Sequence, residues 1–169
     1  MTGEVTLSPL GREDFGRVSG WLSDPDTNRW LVSELRGQDV TEMLVAAMAR
    51  SRRNRTYVVS MDGEPCGIVG FSDFDEVDRL ANLWYVLGEK GLAGRGITTR
   101  AVRQALDLGF DELGLQSIHA WIMEDNEASR RVLEKCGFSP AGRLRRAVQV
   151  AGRTRDRIYF DILRDERSG

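Results

Sequence analysis

The run Leu80–Leu87, which holds Trp84 and Tyr85, reads as a β-strand and leads straight into Gly91-Leu92-Ala93-Gly94-Arg95-Gly96-Ile97-Thr98-Thr99. From Ile97 the pattern turns helical, with Ala101, Val102, Ala105, Leu106 and Leu108 on the buried side. A strand joined to a helix by such a loop confines the chain to folds that pack helices on a sheet. At a helix N-terminus the first N–H groups lack helical partners, and the dipole favours an anion there. Glycines at 94 and 96 let a phosphate approach the main chain with no Cβ in the way. The loop therefore reads as a pyrophosphate cradle or, more plainly, as a flexible connection before a helix.

Two familiar nucleotide loops fit poorly. A dinucleotide fingerprint needs a third glycine, but Gly94-Arg95-Gly96 continues as Ile97-Thr98-Thr99. The span Gly91 to Thr98 has P-loop spacing, yet Ile97 stands where a lysine must reach the β- and γ-phosphates. What remains is a cradle that needs neither lysine nor metal.

The rest of the chain narrows the class. With 169 residues it fits a single domain over 1–169, and its 41% hydrophobic and 30% charged residues are ordinary for a soluble globular protein. No apolar run is long enough to span a bilayer, and Met1-Thr2-Gly3-Glu4 has no basic or apolar signal character. Cys66 and Cys136 stand far apart and His119 is the sole histidine, so neither a zinc site nor a disulfide framework is expected. A cytoplasmic protein with no metal and no membrane partner follows as the expectation. A net charge of −2 gives no global basic field, so nucleic acid is not an expected partner.

The remaining elements follow from periodicity. Val5 and Leu7 before Pro9 read as a strand, and Asp14 to Leu22 as a helix, with turn chemistry at Ser23-Asp24-Pro25-Asp26. Val40 to Arg53 reads as a helix capped by Asp39 or Thr41, with Met43, Leu44, Ala47 and Met48 as its core stripe. Thr56 to Met61 and Cys66 to Phe71 flank the hairpin signal Asp62-Gly63, and the acidic Asp73 to Asp78 reads as a solvated connection. Gly109 and Gly114 bracket the end of the helix after the glycine loop, and Leu115 to Met123 alternates as a strand. Asn126 caps a last helix that turns Ala128, Val132, Leu133 and Cys136 inward and stops at Gly137. Val148–Val150 and Ile158–Leu163 then pair around Ala151-Gly152.

Together these motifs resemble the GNAT superfamily of acyl-CoA-dependent N-acyltransferases, over roughly residues 56 to 164. The superfamily's Gln/Arg-x-x-Gly-x-Gly/Ala motif falls on Gly91 to Gly96, though the leading Gln/Arg is absent and Lys90 lies one residue earlier. The Rim-type branch, which acetylates N-termini of ribosomal proteins, is the closer match. Its Ala-Glu-Ile-Gly-Tyr-Trp-Leu stands opposite Ala81-Asn82-Leu83-Trp84-Tyr85-Val86-Leu87; its Asn-x-x-Ser and Gly-Phe fall on Asn126, Ser129 and Gly137-Phe138. Gly152, Asp156 and Tyr159-Phe160 match its closing hairpin. The resemblance implies an α+β, three-layer fold: a mixed, mostly antiparallel sheet of about seven strands flanked by four helices.

It also implies a function: transfer of an acetyl or other short acyl group from acyl-CoA to a primary amine, on a small molecule or a protein N-terminus. The alternative is a non-catalytic acyl-CoA-binding module of the same fold. The co-substrate acetyl-CoA would be held by Leu92, Ala93, Gly94, Arg95, Gly96, Ile97, Thr98 and Thr99, by the strand end at Val86 and Leu87, and by Asn126. Arg95, Arg100 or Arg103 could also meet a phosphate, although for any single one a solvated surface arginine is the better reading. Ser129 matches the branch's proton donor to the departing thiolate, besides touching the cofactor. Asn82 occupies the position of the branch's glutamate base, where an amide cannot take a proton. Asp73, Asp75, Glu76, Glu34 and His119 are the substitutes, His119 having the most suitable intrinsic pKa. Trp30, Leu31, Glu34, Trp84 and Tyr85 are expected around the acceptor, in a monomer or homodimer.

Overall fold

The computed structural model describes residues 3–167, in which the chain lays down five α-helices and seven strands. In order these are β1 (Val5–Pro9), α1 (Phe15–Ser23), α2 (Pro25–Asn28), α3 (Glu42–Arg50), β2 (Arg55–Met61) and β3 (Glu64–Asp75). There follow β4 (Leu80–Leu87), α4 (Ile97–Asp107), β5 (Ser117–Met123), α5 (Glu127–Lys135), β6 (Ser139–Val150) and β7 (Arg153–Leu163). Met1 and Thr2, part of the stretch read for a secretory signal, lie outside the described residues. No helix among the described residues is long and apolar enough to cross a membrane.

The strands form one sheet in the order β1-β2-β3-β4-β5-β7-β6, and every neighbouring pair is antiparallel except β4–β5. A parallel pair needs a crossover, and α4 supplies it. Alternation then sorts the side chains of β4. Ala81, Leu83, Tyr85 and Leu87 pack with α4 in one core; Trp84 and Val86 pack with Val18, Trp21 and Leu22 of α1 and Val45 of α3 in the other. Helices thus cover both faces, which is the three-layer arrangement expected.

The hairpin signal at Asp62-Gly63 is present as a two-residue turn with φ of 52° and 84°, the left-handed pair that a tight hairpin requires. Gly109 is fully enclosed: a Cβ there would lie 2.8 Å from Ile118 Cδ1 and 3.0 Å from Phe71 Cζ. It sits inside a π-turn, Leu108–Glu112, that continues α4, instead of marking the helix end.

Several expectations need correction. Ser23 to Asp26 is a cap, not a free turn: the Asp24 carboxylate accepts from the N–H groups of Asp26 and Thr27 at the start of α2, with Pro25 at the first helical position. That one-turn helix is the fifth. α3 is shorter than expected, and its buried residue is Val45; Met43 is 80% and Leu44 38% exposed, and Ala47 is exposed too. The sequence holds apolar residues on more than one side of this helix, so a count of them fixes no phase. Asp73 and Asp75 belong to β3, and only residues 76–79 form the connection. Ala128 is exposed on α5, and β6 begins at Ser139, well before the expected Val148.

Candidate active site

β4 and β5 pair only from Leu80–Asn82 to Ser117–His119 and then diverge. The edge of β4 beyond Asn82 that faces β5 consequently has no strand partner, and a cleft of about 1180 Å³ opens there. The loop that follows β4 folds across one end of it. Of the residues expected at the site, the cleft is lined by Trp30, Leu31, Glu34, Asn82, Trp84, Tyr85, Val86, Leu87, Leu92, Ala93, Gly94, Gly96, Ile97, Thr98, Thr99, Asn126 and Ser129. Arg95 and His119 are not among its lining residues.

The cradle itself is built from left-handed glycines. Gly94 has φ 79° and Gly96, the N-cap of α4, has φ 71°. The Arg100 N–H donates to the Gly96 carbonyl at 3.1 Å, so the amides of Ile97, Thr98 and Thr99 precede the first full helical bond. A Cβ at Gly91, Gly94 or Gly96 would meet no protein atom within 4 Å, so the space over the amides is open to a ligand. These features fit a pyrophosphate. The neighbouring arginines are otherwise engaged: Arg100 donates to the Gly3 carbonyl, and Arg103 to the Lys135 carbonyl at 2.9 Å, closing the end of α5.

Asn126 is the N-cap of α5, its side-chain oxygen accepting the Ser129 N–H at 3.2 Å. The Ser129 carbonyl in turn accepts from the Tyr85 hydroxyl at 3.2 Å. Burial pushes the Tyr85 phenol well above its ordinary 10.0, and it therefore stays a neutral donor. Alternation places Tyr85 on the α4 side of β4 and Trp84 on the other, although both border the cleft.

At the paired end of β4, Asn82 is 7% exposed and donates from Nδ2 to Ser72 Oγ at 3.0 Å; its carbonyl oxygen is buried without a partner. His119, the register neighbour of Asn82, is half-buried, and burial depresses its pKa below 6.5 against the pull of Asp73 and Asp161. The acids separate. Asp73 and Glu34 line the cleft, whereas Asp75 and Glu76 line a second hollow of about 390 Å³ beside Arg55, Phe74 and Arg79. Glu34 is exposed and held below its ordinary 4.5 by its own backbone N–H and the Ser33 hydroxyl.

Among the cleft-lining residues that the sequence did not single out are Ser72, Trp121 and Arg157. Arg157 lies over the Trp121 ring at 4.0 Å, although the two stand far apart in the chain. Only the β5–β7 register, which sets Trp121 opposite Tyr159 and Met123 opposite Arg157, brings them together.

Residues 4–139 match the model of the acetyltransferase (GNAT) domain family. The chain belongs to the GNAT acetyltransferase family. Relatives include the uncharacterized N-acetyltransferase p20 of Bacillus licheniformis, 28% identical over 176 residues that cover 99% of this chain and 97% of that protein. The spermidine N(1)-acetyltransferase of Escherichia coli K12 is 28% identical over 163 residues, 96% of this chain and 87% of that one. The crystal structure of Vibrio cholerae spermidine N-acetyltransferase in complex with CoA and spermine superposes with a TM-score of 0.86 at 22% identity, covering 96% of each chain. The seven-stranded sheet is the GNAT fold, with its parallel pair splayed beside the glycine loop.

Proposed function

We propose that this GNAT protein transfers an acetyl or other short acyl group from acyl-CoA to a primary amine, on a small molecule or a protein N-terminus, by direct attack in a ternary complex. One observation carries the reading: a single cleft joins the open amide cradle at Gly94–Thr99 to an aromatic, acid-bearing chamber through the splayed end of β4. Acyl-CoA supplies the activated thioester when bound. The chain's own residues then divide the work.

The amides of the cradle hold pyrophosphate, and Thr98 and Thr99 present hydroxyls beside them. A free backbone N–H of β4 at Val86–Leu87, on the edge β5 has left, polarises the carbonyl. Asn126 borders the same path, and Ser129 donates a proton to the leaving sulfur. The pair Asn126–Ser129 and the order of motifs around it support placement in the Rim-type branch. Asn82, with its amide fixed by Ser72, orients the amine but accepts no proton; the cleft acids Glu34 and Asp73 are the groups able to do so. His119 sits next to Asn82 but off the cleft lining, which favours a supporting role for it. Two buried free thiols, Cys66 and Cys136, accord with a reducing cytoplasmic setting.

The amide at Asn82 favours one second reading, a GNAT domain that holds acyl-CoA without turnover. Release of free CoA thiol is the discriminating measurement, using a panel of amines with acetyl-, propionyl- and succinyl-CoA. Amine-dependent release establishes the transferase. CoA binding by calorimetry with no release for any amine leaves the binding module, and no CoA binding overturns both.

A further inference from the structure

We propose that the acceptor carries an anionic group, a carboxylate in the first instance, and that Arg157 is the residue that recognises it. The inference rests on the transferase reading above and names the substrate class of the same cleft.

Arg157 lines the cleft from β7. Its guanidinium lies over the indole of Trp121, 4.0 Å from the ring centroid, which fixes its plane. Nη1 donates to the Tyr159 hydroxyl at 3.3 Å, while Nε is buried with no hydrogen-bond partner. Among the described residues, no carboxylate lies within 4.0 Å of this guanidinium. A buried cationic N–H without a partner is costly, and a guanidinium that no carboxylate of the chain neutralises suits a carboxylate arriving in the cleft.

The opposite requirement appears in the same cleft. The Asn82 carbonyl oxygen is buried and unpaired, and Asp73 and Glu34 line the same cleft. An acceptor-only atom in a cleft that also bears acids suits the N–H groups of an amine. A cation with no carboxylate partner and an unpaired acceptor atom, both on residues lining one cleft, together describe a ligand that is amine at one point and anion at another. Amino acids and their conjugates have that chemistry. A pure polycation leaves Arg157 unpaired and sets like charges together. The rival account is that Arg157 serves only as a distant counter-ion to Glu34, whose carboxylate it helps to hold ionised.

Matched pairs separate these accounts: lysine against cadaverine, ornithine against putrescine, phenylalanine against phenethylamine, and spermidine alone. Each is titrated by calorimetry into the full chain, with and without saturating CoA, in wild type, Arg157→Gln and Arg157→Lys. At least one carboxylate-bearing member is expected to bind about tenfold or more tighter than its decarboxylated partner. Arg157→Gln removes that preference, and Arg157→Lys restores part of it. If the amines or spermidine bind as well as the carboxylates, if no carboxylate binds, or if the preference survives Arg157→Gln, the proposal is overturned. A fall in thermal midpoint with the preference unchanged identifies the counter-ion role and also overturns it. Acyl transfer without carboxylate preference leaves the transferase and removes this proposal; preference without transfer does the reverse.

Discussion

The Tyr85 hydroxyl donates to the Ser129 carbonyl at 3.2 Å, tying the diverging half of β4 to the first turn of α5. The bond joins the strand that would polarise a carbonyl to the serine that would release the sulfur. Tyr85→Phe removes this one bond and leaves the ring in place. The expected loss is about 1 kcal/mol in denaturant unfolding, the usual net worth of one part-buried hydrogen bond. Turnover falls through misplacement of Ser129, and CoA affinity holds. Wild-type stability together with wild-type kcat denies the contact any role.

The cradle predicts a sharper outcome. A Cβ at Gly94 or Gly96 meets no protein atom within 4 Å, so a substitution there harms folding only through the positive φ, by about 1–2 kcal/mol. Gly94→Glu and Gly96→Glu therefore yield folded protein that has lost CoA binding, since the new carboxylate lies in the phosphate seat. Calorimetry with CoA decides it: unchanged affinity in a folded variant removes the cradle.

How much of this was legible in advance depends on the range of the interaction. The Asp62-Gly63 turn, β4, the glycine loop and the Asn126 cap rest on local chemistry, and each was readable from a few residues. The phase of α3 was not, because Met43, Leu44 and Ala47 supply apolar residues away from the buried side that Val45 defines. Arg157 was beyond reach as well. Its partner Trp121 is set by a strand register, and nothing near either residue in the chain announces the other. The cofactor end of the cleft is a local motif, whereas the acceptor end is an assembly of distant segments.

Asn126 and Ser129 can be separated by mutation because the cap uses the Ser129 backbone N–H and leaves its hydroxyl uncommitted to that bond. Asn126→Ala loses the cap, with a cost of about 1 kcal/mol and weaker CoA binding. Ser129→Ala keeps the cap, so its unfolding curve and CoA affinity stay near wild type while kcat drops. Pre-steady-state thiol release compares the two. A wild-type rate in Ser129→Ala excludes the serine as proton donor.

His119 gives the fold a pH dependence of known sign. Burial, the largest cause, depresses its pKa below the 6.5 expected in the unfolded chain, while Asp73 and Asp161 partly oppose the shift. In the window below 6.5 the unfolded state therefore binds the extra proton first, and stability declines as pH falls through that window. Above it the neutral ring carries no such penalty. His119→Gln flattens this part of the stability profile, measured by urea unfolding across the range. A profile in the variant that keeps the full slope assigns the dependence to other groups.

Asn28 predicts a separation of the two ends of the cleft. Its buried side chain donates from Nδ2 to the carbonyls of Leu22 and Leu35, both at 2.9 Å, and of Gln38 at 3.3 Å; its oxygen accepts the Gly37 N–H at 2.6 Å. One amide thus pins both ends of the segment that carries Trp30, Leu31 and Glu34 to the rim of the acceptor chamber. Asn28→Leu strands those backbone groups and Asn28→Asp sets a carboxylate against three carbonyls; each is expected to cost about 2–4 kcal/mol. The glycine cradle is held by other contacts, among them Trp21 Nε1 to Glu89 at 3.0 Å and the Gly88 N–H to the Cys66 carbonyl at 2.8 Å. Where Asn28→Asp stays folded, KM for the amine rises several-fold and Kd for CoA holds, because the lost hydrogen bonds lie at one end only. Equal weakening of both ligands shows instead that the cleft responds as one rigid unit.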